Sequence, residues 1–188
     1  MRYLIFTFLL SFFLWNCQPT EQSLSEEKVI LSDEESEDVL MRLSQELESN
    51  PQTRAQKERN EMLQFALDSL WNVRELPSGL WLEVAVVGEG DTLQWADRLE
   101  VDYVGYFMGG KQFDSSYDRK RTLQFYIGNM IDGWNEVLQL VKPGSQIKLL
   151  VPSRLAYGEE GLVTATGDTL VLPNQALAFK IEVIRKIQ

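Results

Sequence analysis

The chain is 188 residues long with 28 acidic and 18 basic side chains, a net charge of −10, no histidine and one cysteine. These counts exclude a Ser-His-Asp or Cys-His relay, an imidazole proton shuttle, a histidine zinc site, an intrachain disulfide and a thiolate metal cage. The negative charge argues against a nucleic-acid partner, which needs a clustered cationic face, and leaves carboxylates, hydroxyls, aromatics, apolar pockets and backbone as the available chemistry.

In chain order, Arg2 precedes an apolar run over 3–15 broken only by Thr7 and Ser11. As a helix this run would measure about 20 Å, short of the roughly 30 Å hydrocarbon core, so residues 1–16 read as a secretory signal peptide and not as a span. Cys17 stands where the apolar run gives way to polar, acidic sequence. There it resembles the lipid-acceptor cysteine of a bacterial lipoprotein signal; Leu14 fits that pattern, and Trp15 and Asn16 are larger than its usual small residues. The resemblance implies cleavage before Cys17, acylation of its thiol and a membrane partner through the lipid. It also implies residence in the envelope of a Gram-negative-type bacterium, on the periplasmic face of the outer membrane, since Gln18 supplies no familiar inner-membrane retention signal.

Residues 17–38 carry eight acids and one lysine with few large apolar side chains, and are expected to be a solvated tether. Residues 18–72 together hold 13 acids against 5 bases, whereas 73–188 hold 15 against 12, so most of the acidity lies outside the core domain. A helical extension is expected over 39–76. Leu40, Leu43 and Leu47 mark one amphipathic helix, Asn50-Pro51 interrupts, and Leu63, Ala66, Leu67, Leu70 and Trp71 mark a second. The pair could pack on the domain, pair with a second copy as a homodimer through 39–71, or hold a client.

From Gly79 onward the texture is that of strands, expected over 80–87, 99–107, 123–127, 146–151 and 177–184, with turns at 88–91 and Gly109-Gly110. One helix is expected from Gly133 to Val141, ending before Lys142-Pro143-Gly144. The fold class is α+β: a mostly antiparallel sheet with one short helix on a face, over 77–188.

Six motifs follow one another in this region: Val101-Asp-Tyr103-Val-Gly105, Gly110-Lys-Gln-Phe113-Asp114-Ser115-Ser116, Phe125-Tyr-Ile-Gly128, Ile131-Asp-Gly133-Trp134, Lys142-Pro-Gly144 and Leu155-Ala-Tyr157-Gly158. In order and near-spacing they resemble the FK506-binding (FKBP) type of peptidyl-prolyl cis-trans isomerase, as does the closing strand that carries Phe179. The resemblance covers 79–188, about three fifths of the chain. It implies a half-wrapped antiparallel sheet around a short helix, an aromatic pocket, proline-containing polypeptide clients, and no metal or cofactor. The implied catalytic residues are Tyr103, Phe113, Asp114, Trp134, Tyr157 and Phe179. Trp134 would form the floor, Tyr157 would donate its hydroxyl to a ligand carbonyl, and Asp114 would pair with Tyr103 and Arg119. Phe125, Met130, Ile131, Arg119, Leu123 and Val171 complete the implied substrate-binding set.

Three features depart from the family pattern. Leu123 stands where an aromatic wall is frequent, the stretch before Met130 is one residue shorter, and the flap after Tyr157 is about five residues longer, with Gly167-Asp168 at a hairpin tip and Leu170, Val171 and Leu172 returning over the pocket. The rival readings are a non-catalytic proline-binding holdase and a structural envelope lipoprotein of the gliding-machinery kind.

Overall fold

The computed structural model describes residues 31–187; Cys17, the expected leader and residues 17–30 of the expected tether lie outside them. Helix α1 (Asp33–Gln45) starts with a capping box: the Ser32 hydroxyl accepts from the Glu35 N–H, and the Glu35 carboxylate accepts from the Ser32 N–H at 2.9 Å. Asp33, Glu34 and Glu35 fill the first turn, where the helix dipole favours negative charge. The helix therefore begins inside the stretch expected to be tether to residue 38. Those acids read as solvated spacer because few apolar residues accompany them, but a cap and a dipole suffice to start a helix whose apolar face comes later.

Helix α2 (Arg54–Ser69) opens on a second capping box, Thr53 with Gln56, and stops at Leu70, which is left-handed at φ 52° while the Trp71 N–H turns back to the Ala66 carbonyl. The helices bury Val39 and Leu43 from α1 and Met62, Leu63, Phe65 and Ala66 from α2. Leu40, expected on the inner face, is 39% exposed, and Leu70 is 40% exposed at the cap.

Four long strands form the body of an antiparallel sheet: β2 (Trp81–Val86), β3 (Arg98–Phe107), β6 (Gln146–Val151) and β9 (Leu177–Ile187). Shorter strands β1 (Arg74–Glu75), β4 (Gln112–Ser115) and β5 (Leu123–Tyr126) complete it, in the order β1-β2-β6-β9-β3-β4, with β5 sharing the outer edge of β3. The sequence did not mark β1, which is two residues long, or β4, whose Gln-Phe-Asp-Ser holds one apolar side chain and so shows no alternation. Helix α3 (Asp132–Leu138) is shorter than the expected 133–141, and β7 (Leu162–Val163) and β8 (Thr169–Val171) pair as a separate hairpin.

Alternation along the strands divides the molecule into two cores. Leu99, Val101 and Tyr103 of β3, Ile147, Leu149 and Val151 of β6, and Phe179, Ile181 and Val183 of β9 pack against Trp134, Val137 and Leu138 of α3. The intervening residues Trp81, Leu150 and Ala178 face the other way, into a core with Val39, Leu43, Met62, Leu63, Phe65, Ala66, Trp71 and Val73. Of the three roles open to the helices, packing on their own domain is the one their apolar faces serve. Ala176 and Ala178 on that side of the sheet are small enough to let α2 come close, and the Arg59 guanidinium sits 5.1 Å from the Trp81 ring centre while pairing with Glu46 and Glu75.

Because the second core belongs to the helices and the sheet together, Leu63→Ala, at a fully buried position, is expected to cost about 2–5 kcal/mol. Denaturant unfolding followed by far-UV circular dichroism and by tryptophan fluorescence should show one shifted transition common to both probes; separate transitions would mean that the helices melt on their own.

Candidate active site

Helix α3 sets the floor of the site. Gly133 lets its first turn lie directly on the sheet, since a Cβ there would come within 2.7 Å of Val151 and 3.0 Å of Leu80. Trp134 follows, 1% exposed, and its indole is held by the rings of Tyr103 at 5.2 Å and Phe179 at 5.3 Å, both edge-on, and Phe125 at 5.8 Å. Edge-to-face contacts of this kind each add about 0.5–1.5 kcal/mol beyond burial. Gly105 does for the wall what Gly133 does for the floor: a Cβ at this position would strike Phe113 at 2.7 Å and Phe179 at 3.1 Å.

A cavity of about 40 Å³ opens above the indole, lined by Tyr103, Phe113, Asp114, Met130, Ile131, Trp134, Tyr157 and Phe179. It offers room for roughly three groups of water or methylene size. The eight residues come from β3, β4, the loop before α3, α3 itself, the turn after β6 and β9, and all eight are among the residues singled out in the sequence. Four others stand behind this lining. Phe125 backs the indole, Leu123 is half-buried opposite Val101 on β5, Val171 is fully buried in the core beneath the flap, and Arg119 reaches the site through Asp114 and Tyr103.

The polar rim is a three-residue network. The Tyr103 hydroxyl donates to Asp114 Oδ2 and accepts from Arg119 Nη2 at 2.8 Å; Arg119 Nη1 pairs with Asp114 Oδ1, which also accepts from the Ser115 N–H at 2.9 Å. The guanidinium lies 5.4 Å from the Tyr103 ring centre. Burial, and then the hydrogen bond to Asp114, pushes the Tyr103 hydroxyl up to about 12. Burial and the nearby Asp114 charge raise Tyr157 as well, and the bond to Tyr103 is the main cause that holds Arg119 above its ordinary value. Among the described residues no group of three or more His, Cys, Asp or Glu side chains gathers to hold a metal ion, and no helix is long and apolar enough to cross a membrane.

Residues 90–184 match the profile of the FKBP-type peptidyl-prolyl cis-trans isomerases. The chain belongs to that family. A probable FKBP-type peptidyl-prolyl cis-trans isomerase of Haemophilus influenzae is 37% identical over 113 residues, 60% of this chain and 45% of that protein. The outer membrane protein MIP of Legionella longbeachae is 31% identical over 170 residues, 87% of this chain and 71% of that protein. Among solved structures, a peptidyl-prolyl cis-trans isomerase of Pseudomonas syringae superposes with a TM-score of 0.60 at 32% identity, covering 75% of this chain and 98% of its own. The chain spans about half the length of two of the curated relatives it matches, 45% of the Haemophilus protein and 58% of the Escherichia coli protein FkpA.

Within this FKBP-type frame the longer flap takes a defined shape. β7 and β8 pair Leu162 with Val171 and Val163 with Thr169, and Gly167, at φ +88°, makes the tip. Of the returning residues only Val171 is buried; Leu170 and Leu172 instead line a groove of about 460 Å³ with Phe107, Lys111 and Gln112, which shares Phe113 with the cavity. Sequence reasoning missed two residues that shape the site. Asn135, 6% exposed, accepts from the N–H of Gly128 at 2.8 Å and donates to the Met130 carbonyl at 2.6 Å, and so pins the loop that presents Met130 and Ile131. Ser116 accepts from the Tyr103 N–H at 2.9 Å and donates to Asp102 at 2.6 Å, which ties β4 to β3 beside Asp114. An amide amid the apolar positions of α3 was the available signal for the first.

Both tyrosines favour the protonated form in the folded state, so each contributes stability that is fully present below the free phenol value near pH 10. For Tyr103 that contribution is lost as pH rises through about 12. Alkaline difference spectroscopy should find a tyrosine titrating at about pH 12, and Tyr103→Phe should remove it.

Proposed function

We propose that the chain is a peptidyl-prolyl cis-trans isomerase acting on X-Pro bonds of exported polypeptides. The observation that carries the reading is the closure of Tyr103, Phe113, Asp114, Met130, Ile131, Trp134, Tyr157 and Phe179 around one small, apolar-floored cavity. Rotation about an X-Pro bond faces a barrier of roughly 18–20 kcal/mol because it breaks amide resonance. The planar amide is the more polar state, so a dry aromatic site penalises it more than the twisted form, and catalysis becomes differential solvation and shape. A million-fold acceleration asks for about 8 kcal/mol, and no proton, electron or metal has to move.

In this mechanism the prolyl ring sits on Trp134 between Tyr103, Phe113 and Phe179, with Met130 and Ile131 along the loop side. The Tyr157 hydroxyl, kept protonated by burial, donates to a substrate carbonyl. Asp114, held by Tyr103, Ser115 and Arg119, is a fixed dipole partner for the amide. Phe125, Leu123 and Val171 support the lining from behind. The Cys17 lipid anchor and an envelope location at the periplasmic face of the outer membrane complete the proposal; a relative of 31% identity carries the name outer membrane protein, and the odd cysteine after an apolar run suits acylation. A homodimer through 39–71 would have to use the side of α1 that exposes Leu40 and Met41, because the opposite side is spent on the sheet.

The full chain should accelerate isomerisation of an X-Pro tetrapeptide well above buffer, with a flat rate between roughly pH 6 and 9, since no imidazole is present and both tyrosines titrate higher. Trp134→Ala is expected to lower kcat/KM by about 10- to 100-fold and Tyr157→Phe by about 3- to 10-fold. A wild-type rate equal to buffer would sink the catalytic reading, and variants equal to wild type would sink the assignment of the site. For the anchor, radioactive palmitate should label the wild-type chain and not Cys17→Ser; equal labelling would remove Cys17 from the proposal.

A further inference from the structure

The helical hairpin does more than cover the back of the sheet. At its N-terminal end α2 touches the loop that carries Tyr157. Glu58 Oε1 accepts the Ser153 N–H at 2.7 Å. Ser153 is 1% exposed and opens the 3-10 turn Ser153–Leu155, whose cap, Pro152, has no side chain able to satisfy that N–H. Four residues earlier on α2, Arg54 Nη2 bonds Asn174 Oδ1 and lies 3.5 Å from the Ser153 hydroxyl.

These contacts close a ring around Tyr157. The Ser153 carbonyl accepts the N–H groups of Ala156 at 3.0 Å and Gly158 at 2.8 Å, one on each side of Tyr157. The Gly158 carbonyl in turn accepts the Asn174 N–H at 2.6 Å, where the flap rejoins the domain, and Asn174 is held left-handed at φ 61°. Glu58 thus holds the start of the loop and Arg54 holds its return. Both ends of the flap are gripped by one turn of one helix, 95 residues away in sequence from the serine it binds.

The geometry points to Glu58 and Arg54 as positioning residues for Tyr157, so that docking of the helical extension on the domain sets the aim of the Tyr157 hydroxyl into the cavity. This rests on the isomerase reading above for its effect on rate, although the coupling itself is a statement about the loop. A carboxylate on the N–H of a buried residue is a charge-assisted bond at the short end of its range, and it comes from an element whose own place is set by the Leu63, Phe65 and Trp81 core. Loss of the bond leaves the Ser153 N–H buried without a partner and frees the turn to shift.

Two measurements on the full chain test the inference. In hydrogen exchange, Glu58→Ala should lower protection of the Ala156 and Gly158 amides by roughly tenfold while leaving the sheet amides of Leu149 and Phe179 unchanged. In the tetrapeptide assay Glu58→Ala should lower kcat/KM by roughly 5- to 20-fold. Glu58→Gln, whose amide oxygen can still accept from Ser153, should keep most of the rate. Glu58→Ala should also add little to Tyr157→Phe, because the carboxylate acts through that hydroxyl. The inference is overturned by loop protection equal to wild type, by loop and sheet amides falling together, or by losses that multiply in the double variant. If the wild-type chain shows no isomerisation, the activity reading falls and the exchange data alone decide the coupling.

Discussion

The position of one indole governs the rest of the structure. Trp134 lies at the start of a seven-residue helix that is too short to hold itself in place. Its orientation comes from outside: Gly133 removes the side chain that would lift α3 off Val151 and Leu80, and three rings, Tyr103, Phe125 and Phe179, fix the indole plane. Tyr103 and Phe179 also line the cavity, so the floor and two of its walls are one packed unit. A disturbance of the core is therefore felt by the site, and the site requires no separate scaffold.

The sheet can supply those rings because it is covered on both faces. On one face α3 packs over β3, β6 and β9; on the other, α1 and α2 pack over Trp81, Leu150 and Ala178. Leu149 and Leu150 are neighbours in sequence and are both fully buried, one in each core. A small domain with a single-sided sheet would leave that second face in water, whereas here the helical extension adds a second apolar core and, through Glu58, a polar contact that reaches the loop of Tyr157.

Much of this arrangement was legible along the chain. The alternation of Leu99, Val101 and Tyr103 marked β3 and its inner face, and the run over 146–151 matched β6 at both ends. All eight residues around the cavity had been named, because family motifs stay local in sequence even where their side chains converge from distant strands. Less was readable where a residue's role depends on a remote partner. Asn135 looks like an unfavourable helix residue until Gly128 and Met130 are seen to need its amide. Glu58 looks like one more charge on a solvated helix face until Ser153 is found beside it.

By itself the sequence determined the α+β class, the order of the main elements, the aromatic identity of the pocket residues and the restriction to chemistry without imidazole or metal-binding thiolates. Periodicity, turn residues and composition are local properties, and they suffice for that. Only the tertiary structure decided that α1 starts at Asp33, that the two helices spend their apolar faces on the back of their own sheet, that Leu170 and Leu172 line a groove beside the cavity rather than its interior, and that Glu58 of α2 reaches the Ser153 N–H. Each of these depends on which surfaces meet, and a hydrogen bond between residues 95 to 120 positions apart leaves no mark on either segment alone.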